Sequence, residues 1–221
     1  MIICALDVDH IRTAKNLVDE LGDLVNFYKI GLQIISNSRI HHYFDLITWL
    51  NNKNKQVMLD LKLFDTPRTV EATIKNLAQS GVDWVTMHAQ PKGLEAAMSA
   101  LSLNGGLQIA AVTCLTSSDG PYINELALQR AKYAIDIGCH GLIASALDAP
   151  KIRKLSKKIK IMSPGIRSDS KNKDDHFRTS DVKTAIKNGV AHLILGRPIL
   201  QPDVGASPKQ AVLQIMKEAR I

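Results

Sequence analysis

The chain has 221 residues, 45% hydrophobic and 22% charged, the balance of a soluble globular protein and not of a disordered one. Its net charge of +7 raises the question of nucleic acid, but Lys and Arg are scattered apart from a short cluster at Lys151–Lys160. Aromatic residues, at 5%, are too few for stacking platforms, so no nucleic-acid partner is expected.

The N-terminal Met1-Ile2-Ile3-Cys4-Ala5-Leu6-Asp7 has no basic region and no long apolar segment, and reads as a first strand, not a signal peptide. No apolar run approaches the ~18 residues of a membrane span. Cys4, Cys114 and Cys139 are an odd, sparse set, unlike a disulfide framework or a four-ligand zinc site. A cytoplasmic protein without a membrane partner is expected.

In chain order, short apolar runs predict strands at Ile2–Leu6, Leu24–Ile30, Gln56–Leu61, Trp84–His88, Leu107–Thr113, Gly141–Ala144, Ile159–Met162 and His192–Leu195. Amphipathic stretches between them predict helices at Ile11–Leu21, Ser38–Leu50, Thr69–Gln79, Gly93–Leu101, Ile123–Ile137, Ala149–Ser156 and Val182–Lys187. A last helix, Ser207–Ala219, opens on the start signal Ser207-Pro208. Strands that are apolar throughout belong to a parallel sheet buried on both faces. Eight such units without a linker, and without a Gly-rich dinucleotide fingerprint after the first strand, predict a single (β/α)8 barrel, the TIM-barrel architecture, over residues 1–221. The polar stretch Ser163–Ser180 is long for a connection and is expected to be a lid.

Barrel active sites stand where strands end, at the C-terminal face. The third predicted strand continues as Asp60-Leu61-Lys62-Leu63-Phe64-Asp65, and on a strand Asp60 and Lys62 point to the same side. A charged pair on the inward side of an apolar strand is costly unless it is paired or serves a site. The alternative is an ion pair that faces outward or only stabilises. His88 closes the fourth strand, either as a satisfied structural histidine or as a site residue. His10, His41 and His42 lack ligand spacing and read as surface.

The stretch Asp60-Leu61-Lys62-Leu63-Phe64-Asp65-Thr66-Pro67-Arg68-Thr69-Val70 resembles the signature of the orotidine 5′-phosphate decarboxylase family. Ala5-Leu6-Asp7, Tyr28-Lys29-Ile30-Gly31, His88, Leu115-Thr116-Ser117, Ser163-Pro164-Gly165-Ile166-Arg167 and Gly196-Arg197-Pro198 follow in the family's order across essentially the whole chain. The resemblance implies metal- and cofactor-free decarboxylation of orotidine 5′-phosphate to uridine 5′-phosphate, by a homodimer with shared sites. It implies a charge array of Lys29, Asp60, Lys62 and Asp65, with Lys62 giving its proton to ring carbon 6 and Asp60 beside the departing carboxylate. Asp65 and Thr69 would reach the neighbouring subunit's site. Asp7 and Lys29 would hold the ribose and Thr116 would face the pyrimidine; Arg167, Gly196 and Arg197 would bind the phosphate, and Pro164 joins the substrate-binding set. For Gly196-Arg197-Pro198 and Pro164-Gly165 the plain alternatives are turns.

The sequence departs from the family pattern at Thr66 and Arg68, where isoleucine and asparagine are usual, and in the lid, where His176 stands in place of a common glutamine. A related class, the magnesium-dependent 3-keto-gulonate-phosphate decarboxylases and hexulose-phosphate synthases, shares the Asp-x-Lys-x-x-Asp strand. It carries a glutamate for the metal where this chain has Lys29, and an ammonium there repels a hard cation. A non-catalytic barrel that binds nucleotides or RNA is the other alternative; it has no need of a buried charge array.

Overall fold

The computed structural model describes residues 1–37, 42–101, 106–118, 120–167 and 178–220. Its eight longer strands form a closed barrel: Ile2–Ala5, Phe27–Gly31, Gln56–Leu63, Trp84–His88, Gln108–Val112, Gly141–Ile143, Lys160–Ser163 and His192–Leu195. Each pairs in parallel with its neighbour in the chain, and the first closes the ring against the eighth, Ile2 opposite Leu193 and Cys4 opposite Leu195.

Helices cover the outside because each presents an apolar stripe. In Ile11–Leu21 the buried residues are Ala14, Leu17, Val18 and Leu21, the i, i+3, i+4, i+7 spacing of one helical face. Helix Pro67–Leu77 starts with proline at its first turn, and Pro208–Ala219 starts on a full capping box. There the Ser207 hydroxyl accepts from the Gln210 amide at 3.2 Å and the Gln210 side chain accepts from the Ser207 amide at 2.8 Å. Such a cap stabilises a helix by ~1 kcal/mol.

Two apolar layers result. One lies between barrel and helices. The other fills the barrel with Ile3, Ala5, Phe27, Met58, Trp84, Ala110, Val112, Ile143, Met162 and Ile194. The inward positions two residues beyond Phe27, Met58 and Trp84 are Lys29, Asp60 and Thr86, so apolar filling gives way to polar side chains toward the strands' C-terminal ends.

The second strand begins at Phe27, not Leu24, because Gly22–Leu24 makes a 3-10 turn. Helix His42–Asn52 has a separate short helix, Leu32–Asn37, before it, and part of the expected span, 38–41, lies outside the described residues. Arg197–Leu200 is a further short helix. The expected lid is described only at its ends. There Ile166–Arg167 pairs in parallel with Ser180–Asp181, and Arg178 is anchored by a 2.6 Å ion pair to buried Asp148. Its remaining residues, His176 among them, lie outside the described part. All three cysteines are free and buried, and among the described residues no helix is long and apolar enough to cross a membrane.

Candidate active site

At the C-terminal end of the barrel a cavity of about 590 Å³ is lined by Asp7, Lys29, Asp60, Lys62, Thr116, Pro164, Arg167, Gly196 and Arg197, all expected from the sequence. That volume suits a nucleotide-sized ligand. Ala5, Met58, Val112, Ile143 and Ile194 form its apolar floor. Cys114, Leu115, Ser117, Gln33, Leu200 and Gln201 complete the wall.

Four side chains form one alternating row. Lys29 Nζ lies 3.0 Å from Asp7 Oδ1 and 3.2 Å from Asp60 Oδ2, and Lys62 Nζ lies 2.8 Å from the same Asp60 oxygen. Lys29 and Asp60 are each 8% exposed. Isolated charges at such depth would be very costly; here each has two oppositely charged or hydrogen-bonding neighbours. Burial works against the Lys29 ammonium, but Asp60 and Asp7 outweigh it and hold its pKa above the ordinary lysine value. Burial also works against the Asp60 carboxylate, yet Lys29, Lys62 and hydrogen bonds from Lys62 and Thr86 bring its pKa down to about 2. A depressed carboxyl adds stability above its ordinary pKa and loses it as pH falls through the folded value, so Asp60 is ionised across the whole neutral range. Gly31 leaves room for this row: a Cβ there would stand 3.0 Å from both Asp7 Oδ1 and Lys29 Nζ.

The third strand is irregular where it carries the charges. Its register against the fourth runs Met58 to Trp84 and Leu59 to Val85, then resumes at Leu63 to Met87, so the third strand spends two more residues than its partner. Lys62 has φ 48°, the left-handed region that a non-glycine residue enters at a cost of order 1–3 kcal/mol. Thr86, fully buried on the fourth strand, donates its hydroxyl to Asp60 Oδ1 at 2.8 Å and accepts the Lys62 amide at 2.9 Å. Sequence reasoning missed Thr86 and Gln33, and named Gly31 only as the end of the Tyr28-Lys29-Ile30-Gly31 landmark. The signal available for Thr86 was a hydroxyl at an inward position of an otherwise apolar strand.

The loops after strands five and seven meet at Gly165. Its φ of 73° suits glycine, and a Cβ would stand 3.1 Å from the Arg178 carbonyl and 3.6 Å from Thr116. The Arg178 amide donates to the Thr116 carbonyl at 3.2 Å, tying the far end of the long loop to the cavity wall. At Gly196 a Cβ would meet Asp7 Oδ2 at 3.5 Å, an ordinary contact, so its absence leaves cavity space and relieves no clash.

Asp65 and Thr69 do not join the cavity. Both are exposed: Asp65 Oδ1 accepts from the Thr66 amide at 2.6 Å, and the Thr66 and Thr69 hydroxyls are 3.0 Å apart. Asp65 instead lines a second groove of about 380 Å³ with Leu63, Phe64, Val70, Met87 and Pro91. His88 lies there too, its ring edge-on to Phe64 at 6.0 Å; burial, then Arg130 and Lys62, lower its pKa from the ordinary histidine value. Among the described residues no group of three or more His, Cys, Asp or Glu is placed to hold a metal.

Residues 1–215 match the sequence profile of the orotidine 5′-phosphate decarboxylase / HUMPS family. The chain is 38% identical to an orotidine 5′-phosphate decarboxylase of Methylococcus capsulatus, over 99% of this chain and 91% of that protein. It is 35% identical to the one of Cereibacter sphaeroides, over 98% and 96%. Among solved structures, the orotidine 5′-phosphate decarboxylase of Lactobacillus acidophilus superposes with a TM-score of 0.82 at 28% identity, covering 100% of this chain and 99% of that one. That of Pyrococcus horikoshii OT3 gives 0.79 at 25% identity, with both chains covered in full. With fold, motif order and relatives in agreement over nearly its whole length, the chain belongs to the orotidine 5′-phosphate decarboxylase / HUMPS family.

Proposed function

We propose that this chain, acting as one domain over residues 1–221, is a carboxy-lyase that converts orotidine 5′-phosphate to uridine 5′-phosphate without metal or cofactor. The observation that carries the proposal is the unbroken row Asp7–Lys29–Asp60–Lys62 on one wall of the cavity.

When carbon dioxide leaves, the bonding pair stays on ring carbon 6, an sp² centre with no conventional electron sink. The Lys62 ammonium stabilises that pair as it forms, then transfers a proton to it; solvent returns the proton to Lys62. Asp60, held ionised, stands beside the substrate carboxylate, and two like charges ~4 Å apart repel by about 4 kcal/mol at an effective dielectric of 20. Departure of carbon dioxide relieves the repulsion. Enzymes lower barriers by ~8–23 kcal/mol, so stabilisation of the transition state by Lys62 supplies the larger share. Asp7 and Lys29 hold the ribose, Thr116 and Pro164 border the base, and Arg167, Gly196 and Arg197 take the phosphate, with His176 as a further phosphate ligand from the lid.

The working unit is a homodimer in which Asp65 and Thr69 complete the neighbouring site. Support comes from the exposure of both residues outside their own chain's cavity and from Phe64, 72% exposed beside an apolar groove. The partners are thus the substrate, its product and a second copy of the chain, with no nucleic acid and no membrane, in the cytoplasm.

The magnesium-dependent reading of the same family fits poorly. A cation between Asp7 and Asp60 would have to displace the Lys29 ammonium already lying 3.0 and 3.2 Å from them. The test is loss of the ultraviolet absorbance of orotidine 5′-phosphate on incubation with purified protein, with and without EDTA. The expected outcome is equal turnover in both. Turnover abolished by EDTA and restored by Mg²⁺ would establish the metal-dependent reading, and tight uridine 5′-phosphate binding without turnover would establish a binding module.

A further inference from the structure

Thr86 has no part in the chemistry above, yet it touches both residues that do. It is fully buried, and its hydroxyl spends both of its roles on the third strand: it donates to Asp60 Oδ1 and accepts from the Lys62 backbone amide. These two bonds stand where the ladder between the third and fourth strands is broken by the two-residue register shift. Earlier on the third strand the Gln56 amide donates toward the second strand, to the Asn26 carbonyl, while Val57 bonds toward the fourth, at Asp83. Regular alternation would aim the Lys62 amide at the second strand; the irregularity turns it to the fourth, where the Thr86 side chain takes it. Lys62 is also in the left-handed region, a backbone state that persists only where its surroundings enforce it.

We infer that Thr86 is a positioning residue for decarboxylation, whose hydroxyl fixes the Asp60 carboxylate and the Lys62 backbone as one unit. The inference rests on the decarboxylase reading above. The bond from Lys62 Nζ to Asp60 Oδ2 sets the direction of the ammonium, while Thr86 holds the opposite carboxylate oxygen and the backbone from which Lys62 springs. A methyl group in place of the hydroxyl keeps the volume but leaves one amide and one carboxylate oxygen without this partner. The left-handed turn at Lys62 then loses its restraint, and a displacement of ~1 Å at a reacting group is enough to cost on the order of 10²-fold in rate.

The test compares Thr86→Val with Thr86→Ser. The valine variant should lose on the order of 10²-fold in kcat, with KM and uridine 5′-phosphate affinity within about threefold of the parent, and serine should restore kcat to within about tenfold. Undiminished kcat in the valine variant overturns the inference. So does an equal loss of kcat and product affinity, or a serine variant as slow as valine. Amide hydrogen exchange in the parent gives a second readout that needs no variant to fold. The Lys62 amide should be protected to a level near that of Leu59, and exchange at the rate of an exposed loop overturns the inference. A parent that leaves orotidine 5′-phosphate unchanged defeats the decarboxylase reading separately, and the exchange measurement then still decides whether Thr86 holds the Lys62 amide.

Discussion

Replacing Lys62 by alanine is expected to lower kcat by on the order of 10⁴-fold or more, with uridine 5′-phosphate affinity kept within about tenfold. A positioned general acid contributes ~10²–10⁴-fold, and a preorganised charge at the reacting atom ~10²–10³-fold; Lys62 is assigned both roles. Product binding is spared because the groups assigned to phosphate and ribose lie elsewhere, at Arg167, Gly196, Arg197, Asp7 and Lys29. The fold is spared too, because Asp60 keeps Lys29 at 3.2 Å and Thr86 at 2.8 Å. Single-turnover kinetics together with product titration separate the outcomes, and normal turnover in the variant rules out Lys62 as proton donor.

Replacing Arg197 by alanine is expected to act on the other end of the substrate. A lost charge-assisted pair costs about 2–5 kcal/mol, roughly a 30- to 5000-fold weaker affinity for uridine 5′-phosphate. Uridine, which has no phosphate, should bind almost as before. Arg197 opens the short helix after the eighth strand and lines the cavity with Arg167, the region of a barrel where phosphate is commonly held. Calorimetric titration with nucleotide and nucleoside checks this, and equal losses for both ligands would remove Arg197 from the phosphate site. Part of the catalytic effect should follow, because phosphate binding energy helps to orient the ring at Lys62.

The barrel was legible because strands buried on both faces leave unbroken apolar runs, and helices on one side of them leave a 3.6-residue stripe. Trp84–His88, His192–Leu195, Ile11–Leu21 and Val182–Lys187 have the same bounds in sequence and structure. Leu24 reads as strand in the sequence because an apolar residue packs equally well against the core from a partly exposed turn. Leu32–Asn37 and Arg197–Leu200 are too short for a periodic stripe to register.

The site was legible for a different reason. Charges are expensive in a barrel interior, so Asp60 and Lys62 stood out against Val57, Met58 and Leu59. What the spacing hid was the irregularity. Asp60 and Lys62 are two apart, as on a plain strand, whereas the structure has a register shift and a left-handed Lys62. Thr86 stayed hidden because threonine is at home in any strand and its hydroxyl acquires meaning only once the third strand is laid beside it. Asp65 posed the opposite difficulty. Its place in the motif suggests proximity to Lys62, but the chain puts it on an exposed groove, and its proposed work is across a subunit boundary.

The most direct test is a crystal structure with uridine 5′-phosphate or a close analogue bound. The account predicts Lys62 Nζ within about 3–3.5 Å of ring carbon 6, with the phosphate on Arg167 and Arg197 and the partner subunit's Asp65 facing the base. A base lying away from the Lys29–Asp60–Lys62 row, or a ligand seated outside this cavity, would contradict it.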